Sequence, residues 1–379
     1  MINIPHIKRK IGRTYLVWFQ NSNMYFHLEE PAWFVFKKVC NRHKTETIAE
    51  FFSNRYGMSY ADSLIFVTDI RNTIKKMNQP RKRDKLEEEL LYNLEKCMFT
   101  PFSTFHYAMG SKIVKFAYGT SWLENYIHPL IKHLETFENI GDENVFELFY
   151  FQDKIVFRFN NMVRGSWSKD QSQFVKGNIF VELINVLHDK IDDDWLMTVH
   201  ASAISNGRKT ILFSAAAGSG KTTIAALLQA RGYQLISDDF VPIDQDSFRA
   251  YPFPIAMSVK EGSLDLLTSH YPVLEDKPLN YINPEKSVRY LPVENIRMKM
   301  IFPVKEFIFI KYDSTVDFIM EKLDPVKAIQ QLLDEAWILP SPENVLVFFN
   351  KIVQASFFQL NYSNNEKALE AITQLFDND

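Results

Sequence analysis

The sequence of 379 residues predicts an α/β protein in two parts, a small α+β module followed by a larger α/β domain. Three observations support this prediction. The apolar run at 210–213 leads through a turn rich in Gly and Ser into a helix-like segment that ends near Ala230. A second apolar run ends in the acidic pair at 238–239. The first 80 residues have the pattern of a hairpin followed by three helices.

The turn after the first run reads Ser-Ala-Ala-Ala-Gly-Ser-Gly-Lys-Thr-Thr over 214–223. Such a turn lets backbone N–H groups converge on phosphate oxygens, while Lys221 supplies charge and Thr222 a hydroxyl for Mg²⁺. Ala215 stands where the phosphate-loop motif has its first glycine, which is tolerable at an ordinary negative φ. The expected nucleotide contacts are Ala217, Gly218, Ser219, Gly220, Lys221, Thr222 and Thr223. A role for Thr223 as a plain first-turn helix residue is equally open.

Acidic and imidazole groups flank this turn at definite distances. The helix ends at Gly232, a strand follows, and Asp238 and Asp239 come at its carboxyl end, where open α/β sheets place their ligand chemistry. One carboxylate can hold Mg²⁺ and the other can accept a proton from an attacking hydroxyl. Upstream, His200 interrupts the strand-like run at 196–204. A lone histidine in such a run is more often a hydrogen-bonded core residue, and an Asp pair is often turn chemistry.

Together these residues resemble the catalytic core of HPr kinase/phosphorylase and its serine-kinase relatives. His200 precedes Lys221 by 21 positions, and Asp238 and Asp239 follow it by 17 and 18, which are the spacings of that family. The resemblance implies an HPr kinase/PEP carboxykinase-like P-loop kinase that uses ATP and Mg²⁺. It implies that His200, Lys221 and Asp239 are catalytic, with Asp239 as the general base, and that Thr222 and Asp238 hold the metal. Glu261, Lys260, Lys286 and Arg289 are weaker candidates for metal or phosphate contacts.

The first 80 residues are similar to the PqqD-like domain that binds leader peptides in ribosomal peptide biosynthesis. The predicted elements are strands at 15–19 and 24–28 and helices at 31–40, 45–56 and 59–77. The resemblance implies a winged-helix-like fold in which the peptide adds a strand to the sheet edge beside the third helix. A DNA-binding winged helix is the alternative. We favour peptide binding, because the third helix carries basic residues only near its end.

These segments predict three domains: the peptide-binding module at 1–80, a linker and small α/β lobe at 81–195, and the catalytic domain at 196–379. In the middle part we expect a helix at 122–137, strands within 144–160 and a helix at 180–191. The net charge of −3 gives no nucleic-acid footprint, and no segment has the length of a membrane span. Two distant cysteines, Cys40 and Cys97, are typical of a reducing, cytoplasmic setting.

The sequence therefore predicts a cytoplasmic kinase that phosphorylates a Ser or Thr hydroxyl of a precursor peptide, whose leader is held by residues 1–80. One alternative keeps the kinase and changes the acceptor to free serine, another small hydroxyl metabolite or a small protein. The other alternative is a nucleotide-switched regulator that binds peptide or DNA. The resemblance also suggests a homo-oligomer.

Overall fold

The structure is a computed structural model that describes residues 4–80, 88–137, 144–216, 218–283, 286–293 and 296–377. The helices are α1 Glu30–Cys40, α2 Thr45–Tyr56, α3 Tyr60–Met77, α4 Glu88–Lys96, α5 Ser121–Ile131, α6 Ser172–His188, α7 Lys221–Ala230, α8 Leu264–Thr268, α9 Pro325–Glu335, α10 Pro342–Ile352 and α11 Asn365–Asp377. The strands are β1 His6–Ile11, β2 Thr14–Phe19, β3 Met24–Glu29, β4 Ser103–Met109, β5 Lys112–Tyr118, β6 Glu135–Thr136, β7 Val145–Phe151, β8 Lys154–Phe159, β9 Met162–Ser168, β10 Trp195–Val199, β11 Ala201–Ser205, β12 Thr210–Ser214, β13 Gln234–Ser237, β14 Val241–Asp244, β15 Arg249–Ala250, β16 Met257–Lys260, β17 Asn280–Asn283, β18 Lys286–Leu291, β19 Phe302–Tyr312, β20 Phe318–Lys322, β21 Ala336–Ile338 and β22 Ser356–Tyr362. Among these described helices, none combines the length and the apolar character that crossing a membrane requires.

The chain divides into two compact units, each built from two stretches of sequence. The first unit comprises residues 1–84 and 323–357, and the second comprises 85–322 and 358–379. The predicted catalytic segment 196–379 is thus interrupted, because 323–357 groups with the N-terminal module. Most of the predicted linker, from 81 to 87, lies outside the described residues.

The hairpin and three helices expected in the first unit are present. Residues 16–19 of β2 are buried, and Trp33 and Phe36 of α1 pack with Phe19 in the core of the module. Gly57 ends α2 with a φ of 69°, a left-handed conformation that glycine adopts without steric cost. The Ser59 hydroxyl accepts a hydrogen bond from the Asp62 N–H and so caps α3. The local signals in this part of the sequence therefore agree with its fold.

Two features of the first unit are absent from the sequence prediction. The basic segment His6–Ile11 forms an additional strand, so the sheet has the order β1-β2-β3 with β1 and β3 at its edges. The segment 323–357 also belongs to this unit. Tyr25 of β3 makes edge-to-face contacts with Phe348 and Phe349 of α10, and Arg9 donates a hydrogen bond of 2.8 Å to Asn350. Deleting residues 1–80 would therefore expose the aromatic side chains of α10.

The small lobe, residues 88–188, precedes the glycine-rich turn in the second unit. Its sheet has the order β6-β4-β5-β7-β8-β9, and side chains from α5 and α6 share its core. Two helix boundaries differ from the prediction. Helix α5 ends at Ile131, short of Phe137, and continues as a short 3-10 turn and β6. Helix α6 begins at Ser172, eight residues before the predicted start at Phe180. This extension matters for the candidate site.

Arg158 and Glu147 form a buried ion pair inside the small lobe. They face each other across β7 and β8, with Nε and Nη2 of Arg158 at 2.6 and 3.0 Å from the Glu147 carboxylate. Nη1 also donates to the carbonyl oxygens of Glu95 and Cys97, at the end of α4. Since both side chains are largely buried, the pair and the end of α4 depend on each other.

Replacing Arg158 with alanine is expected to destabilise the second unit by about 3–5 kcal/mol, because it leaves the Glu147 carboxylate buried without a counter-charge. Calorimetric unfolding measures this loss. The double variant Arg158→Met/Glu147→Met should recover a large part of it, since no uncompensated charge is left. A double variant less stable than Arg158→Ala would contradict this explanation.

The main sheet of the second unit positions the candidate site. Its path is β13-β11-β12-β19-β15-β14-β10, with β12 parallel to β19 and β11 antiparallel to β12 and β13. Strand β10 pairs with β14, whereas β11, one residue later in the chain, pairs with β12 and β13. His200 is the residue between them and therefore lies where the chain passes from one set of strands to the other.

Candidate active site

The glycine loop, residues 215–220, connects β12 to α7 as the sequence predicts. Gly218 and Gly220 have φ values of 93° and 98°, so the loop uses glycine where the backbone is left-handed. The first N–H groups of α7 have no acceptor within the helix, which suits them to an anion. Lys221 opens the helix, is 8% exposed, and donates its Nζ proton to the Ala215 carbonyl oxygen.

Gly220 also has a packing reason to be glycine. A Cβ at this position would lie 2.6 Å from the Tyr362 Oη atom and 3.8 Å from the Tyr312 Cβ atom. The Tyr312 N–H in turn donates a 3.1 Å hydrogen bond to the Ser219 carbonyl oxygen. The ends of β19 and β22 therefore pack against the loop.

Strand register brings the other predicted residues to the loop. Ala201 at the start of β11 faces Ser214 at the end of β12, and Ala203 faces Ser237 at the end of β13. The start of β11 and the ends of β12 and β13 thus share one edge of the sheet. His200 directly precedes β11, the glycine loop follows β12, and the Asp pair follows β13.

Asp238 is buried and bonded toward the loop. It is 2% exposed, and its Oδ2 atom lies 3.0 Å from the Thr222 hydroxyl, which donates to it. The Ser202 hydroxyl of β11 donates to Oδ1. Burial raises the pKa of Asp238, and Asp239 raises it further, although the bonds from Ser202 and Thr222 and the charge of Lys221 oppose the rise. An ionised Asp238 is therefore costly until a cation joins it.

Asp238→Asn is expected to stabilise the ligand-free protein at alkaline pH, by roughly 2 °C or more in melting temperature, because burial penalises the ionised carboxylate that the amide replaces. The raised pKa determines how the stability difference depends on pH. The gain in melting temperature over wild type should shrink as the pH falls, because Asp238 of the wild type then becomes protonated and neutral. If the site transfers phosphate as the resemblance implies, the same variant should also lose roughly 10²-fold or more in ATP turnover, since a neutral amide is a poor Mg²⁺ ligand. Thermal melts test the effect on stability and turnover assays test the effect on activity, with the exposed Asp246→Asn as a control. A melting temperature of Asp238→Asn below that of wild type would contradict the expected stabilisation.

Asp239 is bonded away from the loop. Its Oδ1 atom lies 2.9 Å from His200 Nε2, and its Oδ2 atom accepts a hydrogen bond of 3.1 Å from Lys176 Nζ. The Asp239 side chain is 35% exposed, so a further group can reach it. Its φ of 68° is unusual for a residue with a Cβ and costs on the order of 1–3 kcal/mol. The turn is held by the Ser237 hydroxyl, which donates to the Phe240 carbonyl oxygen at 2.6 Å.

Lys176 is the site residue that the sequence analysis missed. It lies on α6, one turn before Phe180, and Phe180 packs against Phe240 with ring centroids 5.5 Å apart. Since Phe240 directly follows Asp239, this contact brings the Lys176 ammonium to the carboxylate. No local motif marks the lysine, because it lies 63 residues before its partner. Lys176 lies on the part of α6 that precedes the predicted start at Phe180, so the predicted helix did not include it.

The surroundings of Asp239 keep it ionised. Burial acts to raise its pKa, but the charge of Lys176 and the hydrogen bond and charge of His200 outweigh burial and hold the pKa well below the ordinary value. For Lys176, burial acts to lower the pKa, and Asp239 outweighs it, so the pKa is raised. The pair therefore presents a fixed carboxylate at neutral pH.

Lys176→Met is expected to raise the pKa of Asp239, because it removes the largest of the influences that lower it. A lowered pKa keeps the carboxylate ionised as the pH falls. For the phosphate transfer that the resemblance implies, the wild-type kcat should therefore show no acid limb from Asp239 near neutrality. In Lys176→Met the acid limb should move to higher pH, and Lys176→Arg should restore the wild-type profile. An unchanged pH profile in Lys176→Met would show that the lysine does not act through Asp239.

One further lysine lies near the glycine loop. Lys260 Nζ is 3.8 Å from the position of a Cβ on Gly218. Burial and the nearby charge of Lys286 lower the pKa of Lys260, while Asp239 and Asp238 oppose this. A polyphosphate on the loop would stabilise the Lys260 ammonium against both effects.

The other weak candidates have structural partners. Arg289 donates through Nη1 to the carbonyl oxygens of Leu274 and Glu275, at 2.6 and 2.7 Å. Glu261 accepts a 2.5 Å hydrogen bond from the Ser287 hydroxyl. These contacts tie the β16–β18 region together, so we assign neither residue to the candidate site.

The structure brings His200, Thr222, Asp238 and Asp239 together through direct contacts. Gly218, Ser219, Gly220 and Lys221 form the adjoining loop and the start of α7, and Thr223 bonds the Ser263 hydroxyl at 2.8 Å. Ala217 lies outside the described residues. The Thr223 contact favours its interpretation as a helix residue that packs against the next segment.

The oxygen donors of Thr222 and Asp238 fit Mg²⁺. They lie 3.0 Å apart, and Mg²⁺ in phosphotransfer sites is held by one or two carboxylates, water and substrate phosphates. Within the described ranges, no group of three or more His, Cys, Asp and Glu side chains could hold a metal by itself. A metal here would therefore need phosphate oxygens to complete its coordination.

Comparison of the chain with protein-family models finds no match, and comparison with curated proteins finds none either. The resemblance to HPr kinase-like and PqqD-like proteins therefore depends on the residues and spacings given above.

Proposed function

We propose that the protein is an ATP-dependent kinase that phosphorylates a Ser or Thr hydroxyl of a peptide. The observation that carries this proposal is that two adjacent carboxylates differ in their burial and in their hydrogen-bond partners. Asp238 is buried and bonded to Thr222 at the glycine loop, whereas Asp239 is partly exposed and bonded to His200 and Lys176. One carboxylate faces a phosphate site and the other faces an open side, as transfer from ATP to a hydroxyl requires.

The glycine loop would bind the triphosphate of ATP. The N–H groups at the start of α7 and the Lys221 ammonium would hold the phosphate oxygens, and Lys260 adds positive charge beside Gly218. Lys221 would then exchange its bond to the Ala215 carbonyl for a phosphate oxygen. Thr222 and Asp238 would hold Mg²⁺, which supplies charge stabilisation on the phosphoryl oxygens.

In the transfer step, the acceptor oxygen forms a bond to the γ-phosphorus, and the bond from that phosphorus to the β–γ bridging oxygen breaks. The electron pair of the broken bond leaves with ADP. Asp239 orients the hydroxyl by accepting its hydrogen bond and receives its proton as the transfer proceeds. Lys176 and His200 hold both oxygens of Asp239 in place, so the carboxylate need not reorganise.

The first unit supports a peptide acceptor. Its outer strand β3 has no strand partner on one side among the described residues, so its main-chain groups can pair with an added strand. Holding a leader there would raise the local concentration of the acceptor to the mM range, so the catalytic site itself need bind it only weakly.

Intact-mass spectrometry tests the proposal. The short peptides encoded beside the gene, free serine and a small protein are each incubated with the protein, ATP and Mg²⁺. A gain of about 80 Da on a peptide, inhibited by excess leader fragment without a hydroxyl residue, is the predicted result. Phosphorylated serine with unmodified peptide would keep the kinase and discard the peptide. ATP hydrolysis with no phosphorylated product would favour a nucleotide-switched regulator.

A further inference from the structure

A recess of about 530 Å³ lies in the small lobe. It is lined by Thr120, Ser121 and Trp122 at the start of α5, by Tyr150 and Asp153 around the β7–β8 turn, and by Lys169 after β9. Its volume falls within the range of small-ligand sites, about 300–1,000 Å³. None of these residues belongs to the candidate site described above.

The wall of the recess is aromatic, and one of its lining residues connects to the candidate site. Trp122 stacks on Tyr126 one helical turn later, with ring centroids 5.2 Å apart and planes at 9°. The ring centroid of Tyr150 lies 6.4 Å from that of Trp122. Lys169, which lines the recess, lies in the short 3-10 turn directly before α6, seven residues before Lys176, the partner of Asp239. The start of α6 thus connects the recess to the proposed base.

The outer rim of the recess carries charge. The Lys169 ammonium lies 5.0 Å from the centre of the Trp122 ring and makes no ion pair with any residue the structure describes. The N-terminus of α5, whose Thr120 hydroxyl caps the Leu123 N–H, adds positive potential on the same side. Asp153 supplies one acceptor for N–H groups across the opening. A carboxylate beside a flat or apolar group complements this arrangement.

The contacts of the two aspartates indicate from which side an acceptor can approach Asp239. Asp238 bonds toward the loop through Thr222, and Asp239 bonds toward the small lobe through Lys176 of α6. A phosphate donor on the loop therefore leaves the small-lobe side of Asp239 to the acceptor. An acceptor that places its hydroxyl at Asp239 and extends along the start of α6 would reach the recess at Lys169.

We propose that this recess selects the acceptor: it binds a peptide segment near the phosphorylated hydroxyl, with a carboxylate against Lys169 and an aromatic or aliphatic side chain against Trp122. This inference rests on the proposed kinase function. The carboxylate is either an acidic side chain or the C-terminus of the peptide, and both present the same group to Lys169.

Leaderless synthetic peptides test this selection without the contribution of the first unit. Each carries one Ser, with a Phe and an Asp two to four residues away, and is matched by versions with Asn for Asp or with an amidated C-terminus. Lys169→Glu should raise the acceptor KM roughly fivefold or more, and Trp122→Ala roughly tenfold, with kcat and the KM for ATP nearly unchanged. The matched control is Lys305→Glu, an exposed lysine on β19.

The peptide versions identify the carboxylate. If the side chain is bound, the Asn version should show a raised KM on wild type and no further rise in Lys169→Glu; if the C-terminus is bound, the amidated version should behave in this way. Acceptor KM values that neither Lys169→Glu nor Trp122→Ala changes would overturn the recess proposal while leaving the kinase intact.

Calorimetric titration of the same peptides, in the presence of a non-hydrolysable ATP analogue, separates the two proposals. Binding to wild type that Lys169→Glu weakens, together with no phosphate transfer to the same peptides in separate assays with ATP and Mg²⁺, would support the recess and refute the kinase. Absence of both binding and transfer in wild type would refute the recess as an acceptor site.

Discussion

Lys221→Ala is expected to lower ATP turnover and phosphate transfer by roughly 10²- to 10³-fold, because it removes a preorganised cation from the phosphoryl oxygens. The lysine is 8% exposed and bonded to the Ala215 carbonyl oxygen, so it is already held at the loop. Its charge also acts to lower the pKa of Asp238. Without it, Asp238 is harder to ionise and the loop loses its fixed positive charge. Coupled measurement of ADP release follows the loss.

A matched control for this variant is Lys112→Ala. Lys112 lies in the same unit on β5 and pairs with the exposed Asp189, and its removal should change turnover less than twofold. Circular dichroism of both variants guards against a loss of folding. Turnover in Lys221→Ala that equals the Lys112→Ala value would remove the glycine loop from the mechanism.

Asp239→Asn is expected to bind ATP with nearly wild-type affinity and to lose phosphate transfer by roughly 10²- to 10⁴-fold, the contribution of a positioned acid–base group. The amide keeps the shape of the side chain but cannot take the hydroxyl proton. It also presents an N–H₂ group to one of its partners, His200 or Lys176, and so disturbs the clamp that orients it. Single-turnover transfer and calorimetric ATP binding separate the two effects.

The double variant Asp239→Asn/Lys176→Met identifies which loss dominates. If Asp239 receives the proton, transfer stays as low as in Asp239→Asn, since no base is restored. If the loss came only from repulsion between the amide and the Lys176 ammonium, removing the lysine should recover most of the transfer. Wild-type transfer in Asp239→Asn itself would refute the assignment of the base.

Residues that are linked by one strand–turn–helix unit could be placed from the sequence. The spacing of Lys221 from Asp238 is set by one helix and one strand, and that of His200 by the preceding hairpin, so the motif predicts their meeting at one sheet edge. Gly57, Ser59 and Gly232 similarly marked helix ends, because capping is a local interaction.

Features that depend on distant contacts could not be placed in this way. Lys176 reaches Asp239 through the packing of Phe180 on Phe240, and nothing near either residue indicates that contact. The position of residues 323–357 depends on Phe348 and Phe349 packing against Tyr25, more than 300 positions earlier in the chain. Strand β1 was missed because three of its residues are basic and exposed.

The most direct test of the proposed phosphotransfer site is calorimetric titration of ATP into the wild-type protein, with and without Mg²⁺. Binding that Mg²⁺ strengthens roughly tenfold or more in wild type, and fails to strengthen in Asp238→Asn, is the result expected if Thr222 and Asp238 hold the metal against the phosphates. No binding of ATP, or binding that Mg²⁺ leaves unchanged, would contradict the kinase proposal at its centre.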